Sequence, residues 1–126
     1  MEGAGQVSLE SSGLGTYDVT WASRAEDPGG RTSPEELIAA AHSACFSMAL
    51  SHALAGAGTP PERLETSADV TFQPGEGITG IHLKVRGTVP GLSAEDFTAA
   101  ADKAKSGCPV SKALAGTTIT LDATLA

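Results

Sequence analysis

The chain has 126 residues, 40 % of them hydrophobic, enough for one globular domain with a real core and too few for two. A formal net charge of −7 argues against nucleic acid and anionic membrane surfaces as partners. No apolar run approaches the about 18 residues of a spanning helix, and the start, MEGAGQVSLE, has neither basic nor apolar signal character. The expected location is cytoplasmic.

In chain order, Val7 and Leu9 begin a short strand and SSGLG turns it. Tyr17, Val19 and Trp21 alternate with Asp18 and Thr20, which predicts a second strand. The stretch Ser23 to Arg31 is polar and carries Pro and Gly, so it reads as a loop. Thr32 to Ala57 is the dominant element. Ser33 can cap a helix, Pro34 suits its first turn, and Glu36 completes a capping box. The predicted helix then runs to Gly56 with Leu37, Ile38, Ala41, Ala44, Cys45, Met48 and Ala49 covering most of its surface. A helix so apolar belongs in a core or an interface.

Beyond GTPPERL, Ala68, Val70 and Phe72 alternate with polar residues, QPGEG connects, and Ile81, Leu83, Val85 and Val89 form one long half-buried strand. Ser93 caps a second helix with Phe97, Ala100, Ala101 and Ala104 on its apolar face and Gly107 at its stop. Cys108-Pro109 opens a third, short helix. Ile119, Leu121, Ala123 and Leu125 alternate in a closing strand. The order predicts an α+β domain over residues 1–126, with helices against one face of a mainly antiparallel sheet.

Few residues offer chemistry. A permanent disulfide is uncommon in a cytosolic chain, so two cysteines point to a catalytic or redox role. Cys45 lies mid-helix, where burial raises a thiol pKa and the helix dipole gives little help. Reactivity there calls for a nearby cation; Arg24, Arg31 and His42 are candidates. Cys108 sits at a helix start, which favours a thiolate and suits disulfide exchange. On spacing alone, Cys45 fits core packing better than catalysis. Likewise His42 fits packing, Glu35 and Glu36 complement the dipole, and Arg24 is a solvated loop cation. The cysteines stand too far apart in sequence for a legible zinc site, and no phosphate loop or serine elbow occurs.

The segment SPEELIAAAHSACFSMALS, with SGCPVSKAL downstream, resembles the OsmC branch of the OsmC/Ohr superfamily, the osmotically induced and organic hydroperoxide resistance proteins. The resemblance runs from about Val7 to the C-terminus, and SRAEDPGGRTSPEEL resembles the family's arginine-bearing loop. It departs at the start, where a shortened N-terminal strand is expected. The resemblance implies an OsmC-like fold and an intertwined homodimer with sites at the subunit interface. It implies a peroxidase for organic hydroperoxides, and less well for hydrogen peroxide, with no metal or bound cofactor. Cys45 would be the peroxidatic thiol and Cys108 the resolving one, with Arg24 and Glu35 orienting and polarising the site. Recycling would fall to an external dithiol, lipoyl groups among them. A general thiol–disulfide oxidoreductase and a non-enzymatic stress protein holding a hydrophobic ligand are the alternatives.

Overall fold

A computed structural model describes residues 2–126. Strands β1 (Ala4–Ser8) and β2 (Thr16–Thr20) form an antiparallel pair. The turn between them uses Gly13 at φ 71°, a left-handed conformation that glycine adopts without a side-chain clash.

Where a continuing strand end and a loop were expected, the chain forms a short helix, α1 (Trp21–Ala25). Its cause is local. The Thr20 hydroxyl accepts from the Ser23 N–H at 3.0 Å, and the Thr20 N–H donates to the Ser23 hydroxyl at 3.0 Å. These reciprocal bonds satisfy helix-start donors that alternation alone does not reveal. The Ser23 hydroxyl also lies 2.8 Å from the Thr32 carbonyl, tying α1 to the start of the next helix.

That helix, α2 (Pro34–Gly56), is the long element expected. The Ser33 hydroxyl accepts from the Glu36 N–H at 3.1 Å, as a cap should. The other half of the capping box differs: the Glu36 carboxylate accepts from the Thr32 hydroxyl at 2.6 Å. Apolar residues on most sides of the helix left its inward face open in the sequence. That face carries Glu35, His42, Phe46, Leu50 and Leu54, while Ala41, Ala44 and Met48 are exposed within the single chain. By length and composition α2 is apolar enough to cross a membrane, contrary to the expectation that no stretch approaches that length. One face of it, carrying the buried Glu35, His42, Phe46, Leu50 and Leu54, packs against the core, and the opposite face is exposed within the single chain.

Strands β3 (Arg63–Gln73) and β4 (Gly77–Thr88) pair antiparallel. Helices α3 (Ala94–Gly107) and α4 (Pro109–Ala113) follow, and β5 (Thr118–Leu125) completes a sheet of order β3-β4-β5. The ladders are antiparallel, as expected, except β4–β5, which is parallel. The helical crossover through α3 and α4 returns the chain to the end from which β4 began, as parallel neighbours require. Period-two alternation puts Leu83, Val85, Leu121 and Ala123 on the side facing α2 and α3, and Lys84, Arg86, Asp122 and Thr124 on the other.

The core is tight at Gly87, paired with Leu64 and Leu125 across the sheet. A Cβ there would lie 2.5 Å from the Phe97 ring, which is itself fully buried in the core. Gly87→Ala should therefore cost about 1–3 kcal/mol through overpacking, read as a lower urea midpoint. Adding Phe97→Leu should recover part of that loss. An unchanged midpoint for Gly87→Ala would show that the ring has room to move.

Candidate active site

Two clusters hold the residues of chemical interest. The first joins α2 to α4. Cys45, mid-helix and half-buried, packs against the core beside the buried Cys108, and both thiols are free. Burial pushes the Cys45 thiol up; the Val110 backbone N–H opposes this, and the neighbouring Cys108 adds to the rise. No cation of the same chain is among those influences. Left to this chain alone, Cys45 stays protonated at neutral pH.

Cys108 caps α4, with the Ser111 N–H 3.4 Å from its sulfur. The Ser111 hydroxyl lies 3.1 Å from the same sulfur and 2.7 Å from His42 Nε2. Burial holds the His42 pKa below its ordinary value, so the ring is neutral. His42 is buried, as its spacing alone suggested, and supplies no cation for Cys45.

The second cluster lies at the start of α2. Arg24 Nε is 3.1 Å from each Glu35 carboxylate oxygen, and Nη2 is 3.0 Å from Oε2. Glu35 lies in the first turn of α2, where the backbone N–H groups favour a carboxylate. Phe72 holds the guanidinium from its face at 4.4 Å, and Trp21 stands 5.5 Å away. The two rings meet edge to face with centroids 6.2 Å apart. Arg24 belongs to α1, so it is a caged side chain and not the loop cation expected. The pair borders a cleft of about 360 Å³ lined also by Ala39, Ala68 and Val70. Arg31 is exposed and lies in neither cluster.

Thus Cys45 meets Cys108, and Arg24 meets Glu35, but the two pairs stand apart within one chain. Glu35 and Cys45 occupy one unbroken helix, ten residues and so about 15 Å apart along its axis. Trp21, Phe72 and Ser111 were absent from the sequence candidates. Phe72 and Ser111 act across distant elements and leave no local signal. Trp21 was within reach, since Thr20 and Ser23 three positions apart are a capping pair. Among the described residues, no three His, Cys, Asp or Glu side chains converge where they could hold a metal ion.

Comparison with known proteins gives this arrangement its context. The model of the OsmC-like protein family matches residues 27–122. The chain is 48 % identical to a protein of Escherichia coli named peroxiredoxin OsmC, over 95 % of this chain and 85 % of that protein. It is 32 % identical to an organic hydroperoxide resistance protein of Xanthomonas axonopodis pv. citri, over 70 % of this chain and 63 % of that one. The fold matches the crystal structure of the organic hydroperoxide resistance protein OhrB of Bacillus subtilis with TM-score 0.68 and 22 % identity, covering 100 % of this chain and 98 % of that one. The chain belongs to the OsmC-like family.

Proposed function

We propose that this protein reduces hydroperoxides with a thiol, acting as a cysteine-based peroxidase with organic hydroperoxides as preferred substrates. The adjacency of two free cysteines, one of them mid-helix beside the other at a helix cap, carries this reading. The names of the relatives support it.

Cys45 attacks as the thiolate. An S–O bond forms, the O–O bond breaks, and the departing alkoxide takes a proton to leave as the alcohol. Cys45 is then a sulfenic acid. Cys108 condenses with it, forming an S–S bond and releasing water. An external dithiol supplies two electrons and two protons to restore both thiols, and lipoyl groups are the proposed donor. No resident cofactor enters this chemistry.

The thiolate still needs a cation. The exposed Ala41, Ala44 and Met48 leave an apolar strip on α2, and Met48 is 73 % exposed. In the proposed homodimer a second copy covers that strip. Its Arg24, held in shape by Glu35, then reaches Cys45, lowers the thiol pKa and donates to the peroxide oxygens. Each active site is so built from two chains of a single-domain protein. Two free thiols suit a reducing compartment, and the proposed location is cytoplasmic.

Steady-state turnover with a dithiol donor should be faster with cumene hydroperoxide than with hydrogen peroxide. A chain that reduces protein disulfides but no peroxide would instead be a general oxidoreductase, and one that turns over neither would be a ligand-binding stress protein.

The thiols should divide their labour. Cys45→Ser should abolish turnover. Cys108→Ser should consume about one equivalent of peroxide and then stall or over-oxidise, because its sulfenic acid has no partner. Quenched peroxide assays would expose a reversal of these roles.

For Arg24 the expected signature lies in both rate and pH. Arg24→Lys keeps the charge but loses the two-point bond to Glu35, so turnover should fall steeply. Arg24→Ala should move Cys45 alkylation to higher pH, since removing a cation raises a thiol pKa. An unchanged alkylation profile would remove Arg24 from the site.

A further inference from the structure

Cys108 is fully buried, and its sulfur is the end of a short polar chain inside the core. Ser111 joins it on one side at 3.1 Å, and His42 Nε2 joins Ser111 on the other at 2.7 Å. All three side chains are buried, and His42 reaches across from α2 to α4, 69 positions away in sequence. A buried imidazole on an apolar helix carries a desolvation cost that core packing alone does not require.

The direction of the hydrogen bonds follows from the far nitrogen. His42 Nδ1 is buried with no partner among the described residues. A neutral imidazole carries one N–H, and an orphaned buried donor is rarer than an under-satisfied acceptor. On that ground the proton is assigned to Nε2. Nε2–H donates to the Ser111 oxygen, which leaves the Ser111 O–H to donate to the Cys108 sulfur. The Ser111 backbone N–H adds a second donor at 3.4 Å.

We propose that His42 and Ser111 serve the resolving step: Ser111 is a hydrogen-bond donor to the Cys108 sulfur, and His42 is a positioning residue that locks the Ser111 hydroxyl toward it. The inference rests on the peroxidase reading above. In that step the Cys108 S–H proton passes to the hydroxyl of the Cys45 sulfenic acid. The Cys108 sulfur, gaining negative charge, forms the S–S bond as the S–O bond breaks and water leaves. Two donors aimed at the sulfur stabilise that charge where the apolar core otherwise opposes it. The first step, peroxide attack by Cys45, needs neither residue.

The test separates the two steps after a single equivalent of cumene hydroperoxide. Sulfenic acid is followed by trapping with dimedone, and disulfide by mass spectrometry of acid-quenched samples. Ser111→Ala should form sulfenic acid at the wild-type rate and disulfide about 10- to 100-fold more slowly, the worth of one hydrogen bond to a developing charge. His42→Leu should show the same selective loss. His42→Gln, which keeps an N–H at similar reach, should recover most of the rate. Wild-type disulfide formation in Ser111→Ala, or His42→Gln as slow as His42→Leu, would overturn the proposal while leaving the peroxidase reading intact. A wild-type chain that forms no sulfenic acid would overturn both. Should the His42 variants fail to fold, imidazole nitrogen NMR of the wild type decides the direction: Nε2–H supports the proposal and Nδ1–H overturns it.

Discussion

Glu35 and Cys45 share one unbroken helix, and an unbroken helix cannot fold back on itself. Their separation of about 15 Å is fixed by helical rise, whatever the loops around them do. A mid-helix thiol buried beside a second thiol is pushed toward protonation, yet its proposed chemistry needs the thiolate. The cation best held in this chain, Arg24, is locked to Glu35 at the far end of that helix. The separation makes a site complete within one chain hard to build. It makes a site shared by two chains the economical arrangement, and the exposed strip of Ala41, Ala44 and Met48 is where the second chain is proposed to lie.

Each half of the proposed site is held by elements that serve the core as well. The Thr20–Ser23 cap creates α1 and so aims Arg24 at Glu35, while Phe72 at the end of β3 supports the guanidinium. On the other side, the parallel return of β5 depends on the α3–α4 crossover, and that crossover carries Cys108 to α2. The same crossover brings Ser111 to His42. The fold therefore delivers a preset pair at each location, and in the proposed homodimer the two pairs would meet.

Much of this was legible in the sequence. The long helix, its Ser33 cap and the alternating strands follow from local periodicity, and the Cys45 and Cys108 segments carried the family resemblance. Other features were hidden for physical reasons. Strand alternation masked the short helix at Trp21, although Thr20 and Ser23 offered its capping pair. The inward face of α2 could not be chosen when apolar residues nearly encircle it; burial of Phe46, Leu50 and Leu54 is a tertiary result. Strand direction in β5 depends on the crossover, and the His42–Ser111 bond joins residues 69 positions apart.

The central claim is that Glu35 with its Arg24 serves the Cys45 of the other chain. It is tested most directly by refolding two inactive variants together, Cys45→Ser and Glu35→Ala, and assaying peroxide turnover. With shared sites, a mixed dimer has one site carrying both defects and one site intact, so activity should return to about half of the wild-type value per mixed dimer. With sites built from one chain, every site in the mixture carries one defect. Refolded mixtures with confirmed subunit exchange that stay as inactive as their parents would contradict the account.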